Sequence, residues 1–436
     1  MAQGGPTGQP APLALALLSG GPDMPTFYVS PDGDDGGPGT EDRPWRTVSR
    51  AVAALTAGQR AVVMEGTYHE AAVFPRSGEP GRPIVLAAYP GQSVTIDASG
   101  LRDAWRAIFI RERSDITLSG LTVTNAPCGI AVWNSERVTV ERCRISNTGL
   151  SAIHVQESKD VLIDANEIER ACQRGGEETV TVKLFSERIE VRNNHIHHTG
   201  HEGVDVKEGA RNVRVHGNRI HHVERQGLYA DAWNQPTFGI EFYDNVVHDC
   251  GFGVAAASET GGLLSDVSYY NNVIYSNAGP GMIITDYDAR GSHPIDGVSF
   301  VNNTVVGNGL RGGERWGGGI FLDAAEARNV VVRNNILSGN GPLQILVTKE
   351  PLSAVVENNL IDGPATQKGA SFVEARPMFV DADRGDVHLA QRSPAIGAGT
   401  ATGSPAADAD GVPRPPGVPC DIGAYQYRPA TEAAGP

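Results

Sequence analysis

The feature that most limits how this chain can fold is an anchor that recurs down its middle: a β-branched alternation, then Asn, then any residue, then Ile, Val or Leu. It reads Asn166-Glu-Ile168, Asn194-His-Ile196, Asn218-Arg-Ile220, Asn245-Val-Val247, Asn272-Val-Ile274, Asn303-Thr-Val305, Asn335-Ile-Leu337 and Asn359-Leu-Ile361. Two earlier copies carry Cys143 and Gly120 at the Asn place, and successive anchors stand 23 to 32 residues apart. Between anchors a second element repeats, a small residue followed by alternating apolar and variable positions, as in Ala152-Ile-His-Val-Gln156, Gly203-Val-Asp-Val-Lys207 and Gly227-Leu-Tyr-Ala-Asp231. Such a period holds short strands and turns but no helix, so each unit buries its apolar residues only against its neighbours.

Stacked strand-and-turn units of this period form a parallel β-helix, with coils about 4.8 Å apart and an Asn ladder running from turn to turn. The L-x-x-L-x-L frame of leucine-rich repeats is missing. The expected fold is therefore all-β: a right-handed parallel β-helix of about ten coils, the hand following the crossover rule. With 53 Gly and 28 Pro in 436 residues, the chain is rich in breakers but below the share that marks disorder. Residues 1–25 read as a disordered tail or a weak leader, 26–100 as an N-terminal cap and first coils, 101–362 as the repeats, and 363–436 as a C-terminal extension packed on the helix. Within 44–56, Val48, Val52 and Leu55 share one helical face and suit a short cap over the first coil.

The 36 Lys and Arg against 51 Asp and Glu, net −15, exclude nucleic acid as a general partner. No apolar run reaches the length of a membrane span. The five cysteines form no CxxC pair and read as free, buried thiols. Leu13 to Leu18 is apolar, but no Lys or Arg precedes Arg43, so the leader lacks its basic part. An exported monomer, extracellular or periplasmic, is expected from the fold.

In stacked coils, the second and fourth positions of the repeated strand form two outward columns. One runs Ala131, His154, Thr181, Asp205, Tyr229, Ala255, Ile283, Phe321, Leu346; the other Trp133, Gln156, Lys183, Lys207, Asp231, Ala257, Thr285, Asp323, Thr348. Polar and titratable residues concentrate in the coils of 152–233, with Glu178, Glu202, Trp233 and Glu259 nearby. Lys183 and Lys207 on adjacent rungs repel, which predicts a lowered Lys pKa and a possible base. The bland alternative is a solvated charge ladder. The histidines 195, 197, 198, 201, 216, 221 and 222 read mostly as turn residues beside the Asn ladder, not as a zinc site. Asp32-x-Asp34-Asp35 reads as an acidic turn, and Cys143 as core packing.

The motifs Tyr28-Val-Ser-Pro-Asp-Gly-Asp34, Pro44-Trp45-Arg46-Thr47 and Gly66-Thr-Tyr-His-Glu70 at the front, with Ser393-Pro-Ala-Ile-Gly-Ala-Gly399, Arg414 and Asp421-Ile-Gly-Ala-Tyr425 at the back, resemble secreted bacterial β-helix proteins of the pectate-lyase-like superfamily. The strand Glu202-Gly-Val-Asp-Val-Lys207 resembles the base-carrying strand of β-helix alginate and chondroitin lyases. That resemblance implies Lys207 as the base removing the C5 proton of a uronic acid, and a Ca²⁺ held by upstream acids, here Glu202 and Glu178, with no organic cofactor. The chain departs from the pattern where Asp231 replaces an Arg one coil later and Gly200 a second acid, leaving Tyr229 or Lys183 as general acid.

The expected function is cleavage of an acidic polysaccharide or oligosaccharide by β-elimination, with Lys207, Asp205, Asp231, Lys183 and Tyr229 catalytic. His154, Gln156, Trp233, Trp133 and Glu259 would bind substrate. A second reading is an inverting hydrolase with Asp231 as acid and Asp205 as base, their carboxyls roughly 6–9 Å apart. A third is a non-catalytic glycan-binding surface module. Tyr229-Ala-Asp-Ala-Trp233 with Ala257-Ser-Glu259-Thr-Gly-Gly262 resembles a block that recurs in β-helix proteins and points to a site there.

Overall fold

The structure is a computed structural model that describes residues 21, 23–101, 105–287, 290–311 and 317–429. Most of the expected tail at 1–25 lies outside them. Three parallel sheets of 14, 11 and 12 strands run the length of the molecule, each coil giving one strand to each sheet in turn. The inner row Ile153, Val180, Val204 and Leu228 pairs in register and is fully buried. Burying each such side chain contributes about 1.5–3 kcal/mol.

The Asn ladder is a buried hydrogen-bonded column. Asn194 Oδ1 accepts from the backbone N–H and from Nδ2 of Asn166, both at 2.9 Å, while Asn194 Nδ2 donates to Asn218 Oδ1 at 3.0 Å. The same links join Asn218, Asn245, Asn272, Asn303, Asn335 and Asn359. Cys143 heads the column, giving its backbone N–H to Asn166, and is buried like the other four cysteines, all free. The residue before each ladder Asn turns the corner with positive φ, for example Asn193 at 55° and Asn271 at 55°. Asn tolerates that conformation, which explains the Asn-Asn doublets. A second, shorter ladder of Asn277, Asn308 and Asn340 was not visible in the anchor pattern.

Helix Val48–Ala54 covers the first coil with Val48, Ala51 and Val52 buried. Glu70 caps it by accepting from the Val48 and Ser49 N–H groups, and Asp35 accepts from Arg46 and Thr47, so both acidic motifs of the N-terminal region brace this helix. The C-terminal residues pack on the twelve-stranded sheet, where Ile422 and Leu389 bury against Ile336 and Leu360, and Arg414 donates to Asn271 at 2.8 Å. No helix among the described residues is long and apolar enough to cross a membrane.

Most of the histidine-rich segment departs from expectation. His195, His197 and His198 belong to strand His195–Thr199, and His221 and His222 to strand Arg219–Val223, so these rings stack on the outer face of the twelve-stranded sheet instead of lying in turns. His195, His197 and His221 flank Ile196 and Ile220 on the outward positions, while His198 and His222, at φ 54° and 53°, break the alternation and point outward as well.

Candidate active site

Strands Ile153–Gln156, Val180–Lys183, Val204–Lys207, Gln226–Asp231 and Phe252–Ala257 lie side by side in the eleven-stranded sheet. Because side chains alternate, Val204 and Val206 enter the core while Asp205 and Lys207 take the outer face. Registers run His154, Thr181, Asp205, Tyr229, Ala255 and, one step along, Lys207, Asp231, Ala257, Thr285, Asp323. The columns are those expected except at their end, where a shift between Leu322 and Asp323 puts Lys349 in register with Asp323, while the Thr348 hydroxyl still donates to Asp323 Oδ1.

This outer face is roofed. Asp205 is 2% and Asp231 1% exposed. Lys207 sits between two carboxylates, paired with Glu178 and 3.4 Å from Asp205 Oδ2. Burial works against its charge, yet Asp205 and Glu178 outweigh burial and hold the ammonium above its ordinary value. The expected lowering of Lys207 is thus reversed: the Lys–Lys repulsion is relieved, because Lys183 turns to Glu177 at 3.2 Å and Lys207 to Glu178.

One cation cannot neutralise two buried acids. Burial raises Glu178, but Lys207 overrides it and keeps that carboxyl low. Asp205, wholly enclosed and facing Glu178, Glu202 and Asp231, is pushed well above the carboxylate range, and its Oδ1 is buried without a hydrogen-bond partner. Burial and the neighbouring acids oppose a charge on Asp205, which weighs against the base role of the inverting-hydrolase reading. Glu202 is tied to Arg225 at 3.2 Å and His201 at 3.4 Å. Both acids expected to hold Ca²⁺ are thus engaged by cationic partners, and among the described residues neither belongs to a converging set of three ligands. The arrangement does not make a calcium cage, which needs several free oxygens aimed at one point.

Asp231 differs. Its Oδ1 accepts from the backbone N–H of Trp233 at 2.9 Å and of Glu259 at 3.2 Å. Burial first, then the Glu259 charge, push it up to about 7. Trp233, at φ 47°, turns the chain in the left-handed region here and is 39% exposed. Glu259 accepts from Tyr229 Oη, and burial pushes that phenol well above its ordinary range. Glu259 also lines a groove of about 460 Å³ with Glu202, Glu224, Arg225, Gln226, Gly251, Phe252 and Tyr287. Gln226 Nε2 donates to Tyr287 Oη at 2.6 Å. Tyr287 escaped sequence reasoning because it lies 61 residues after its partner, on a connection outside the repeat.

At the other end of the face, the Arg106 guanidinium lies 3.7 Å from the Trp133 ring centre, and Trp133 meets Phe109 edge-on at 5.2 Å. Trp133 Nε1 is buried without a hydrogen-bond partner among the described residues. His154 shares a 3.2 Å hydrogen bond with Gln156. Burial and the Lys183 charge push His154 down to about 4, leaving it neutral. The structure thus gathers Asp205, Lys207, Glu178, Asp231, Tyr229 and Glu259, and sets Trp133, His154 and Gln156 on the neighbouring coils.

Two family descriptions match the chain, "Pel9A-like, right handed beta helix region" over residues 27–173 and "Right handed beta helix region" over 235–361. The chain is 25% identical over 363 residues to the uncharacterized protein YwoF of Bacillus subtilis (strain 168), covering 73% of this chain and 76% of that one. It is 31% identical over 144 residues to pectate lyase PEL9 of Emericella nidulans, covering 30% of this chain and 35% of the lyase. The solved complex of XylC with xylose superposes with a TM-score of 0.64 at 13% identity, covering 92% of this chain and 98% of that one. The parallel coils and these matches together make the chain a right-handed parallel β-helix protein of the pectate-lyase-like superfamily.

Proposed function

We propose that this protein is a carbohydrate-active enzyme that hydrolyses glycosidic bonds, with Asp231 as the proton donor and Glu259 as its charged partner. The observation that carries the reading is the Asp231–Glu259 pair. Glycosidases divide their work between an acid that keeps its proton near neutral pH and a carboxylate that stabilises an oxocarbenium-like transition state. Asp231, pushed up to about 7, suits the first role. Glu259, held by Tyr229 and facing the groove, suits the second. The groove carries Glu202, Glu224 and Glu259 against one Arg225, and Lys183 and Lys207 are already paired, so a neutral sugar suits it better than a uronate.

Elimination from a uronic acid with Lys207 as base is the second reading. The Pel9A-like match and the 31% identity to a pectate lyase favour it, although the family match ends at residue 173, before Lys207. Its chemistry requires Lys207 to leave Glu178 and give up the proton that its acidic neighbours hold on it before it can take the C5 proton. The test is a panel of neutral glycans and uronates, scored for new reducing ends and for the ultraviolet-absorbing unsaturated product of elimination. Hydrolysis of neutral glycans without that product is expected. Loss of its formation in Lys207→Ala alone would establish the lyase instead.

A further inference from the structure

We propose that the outer face of the twelve-stranded sheet carries a transition-metal site, built from Glu167, His195, His197 and His221 and suited to Zn²⁺. The four residues come from three successive coils, on strands Glu167–Glu169, His195–Thr199 and Arg219–Val223, which pair in register. Glu167, His195 and His197 each offer a ligand atom, all within 4.8 Å of one another. His221 lies outside that mutual distance, but its Nε2 stands 2.9 Å from His195 Nε2, from where it completes the set when the rings close on a metal. His197 Nε2 is 3.6 Å from Glu167 Oε1.

Tetrahedral Zn²⁺ with bonds near 2.0–2.1 Å holds its ligand atoms about 3.3 Å apart. The 2.9 and 3.6 Å separations straddle that value. The other ring nitrogens are already engaged: His197 Nδ1 meets His198 Nδ1 at 2.9 Å, and His221 Nδ1 meets His222 Nδ1 at 2.8 Å. Such outer partners orient metal-binding imidazoles and leave Nε2 free to coordinate. The rings are further held by stacking, His197 on His221 at 5.2 Å and His221 on His248 at 4.8 Å between centres. Two cations oppose the site: Arg144, 3.2 Å from Glu167 Oε1, and Arg219, the register partner of His195. Arg144 is about half exposed and can swing into water when a metal takes Glu167.

Three imidazoles and one carboxylate are a borderline-soft donor set, matched to Zn²⁺, Cu²⁺ or Ni²⁺ rather than to calcium. A metal here would pin three coils together, on a different sheet from Asp231. The test is calorimetric titration of the full chain, free of any histidine tag, with ZnCl₂ alone, and titration with Co²⁺ followed by its visible absorption. One equivalent of Zn²⁺, a four-coordinate Co²⁺ spectrum and a raised melting temperature are expected. Binding should weaken at least tenfold in His195→Asn and in His221→Asn, stay unchanged in Trp233→Ala, and tighten in Arg144→Ala, which keeps every ligand. The Arg144 variant guards against a histidine variant that misfolds. Absence of binding, or binding indifferent to both histidine variants and to Arg144→Ala, would overturn the proposal.

Discussion

Asp231 Oδ1 accepts the backbone N–H of Glu259 across one coil, at 3.2 Å, and burial with the Glu259 charge holds Asp231 near pH 7. Asp231 ends one strand and Glu259 follows the end of the next, Phe252–Ala257, so the stacking that builds the fold also sets an acid beside a second carboxyl group.

If this pair transfers the proton, Asp231→Asn should lower kcat on a cleaved glycan by about 10²–10⁴-fold, the usual contribution of a positioned acid. Glu259→Gln should do the same. Far-ultraviolet circular dichroism unchanged from the parent would show that chemistry, not folding, was lost.

The pH profile follows from the sign of the Asp231 shift. The acid works when protonated, so kcat/KM should fall as pH rises through about 7, about tenfold per unit beyond it. Because the folded-state value lies above the ordinary 3.8, the folded chain holds this proton more tightly than the unfolded one. Its contribution to stability is therefore present below about pH 4 and lost between about 4 and 7, measurable by denaturant titration across that range.

Lys207 is the cation of a buried cluster. Lys207→Met would leave Glu178 charged and unpaired, which costs about 3–5 kcal/mol for a buried pair. Urea unfolding should show that loss, and Glu178→Gln added to Lys207→Met should recover most of it, since the stranded charge is then gone.

The ladder is equally open to test. Asn218 Nδ2 donates to Asn245 Oδ1 and to Val191 O, and its Oδ1 accepts from Asn194. Asn218→Ala strands buried groups on both neighbouring coils, at about 1–3 kcal/mol for each. A clear fall in melting temperature is expected, without any change in KM of the folded enzyme, because the ladder turn lies away from the eleven-stranded sheet.

Glu178 and Glu202 are engaged by Lys207 and Arg225, so activity without calcium is the expected outcome. Activity measured with and without a chelator should agree within twofold.

Much of the fold was legible because a repeat states the same local preference many times. The Asn anchors, the inward Ile and Val, and the small residues at strand entry agree with one another in most coils, and pairing in register carries that agreement into three dimensions. The columns of the candidate site were legible: Asp205, Lys207, Tyr229 and Asp231 stand in their expected register. Their charge states were not. Stacking sets Lys183 beside Lys207, but strand spacing does not show that Glu177 and Glu178, on a turn whose length varies between coils, pair with them. Asp205 stands in a column expected at the surface but lies buried, and that burial pushes its carboxyl up. The histidines were not legible as strand residues because the Asn beside them marks a turn, while the imidazoles continue along the next strand.

The central claim is hydrolysis by Asp231 and Glu259, and the most direct measurement is product analysis on a panel of neutral and uronic-acid glycans with the parent, Asp231→Asn and Lys207→Ala proteins. The account predicts new reducing ends from a neutral glycan, no unsaturated product, and loss in Asp231→Asn. An unsaturated uronide that forms in the parent, persists in Asp231→Asn and vanishes in Lys207→Ala would contradict it.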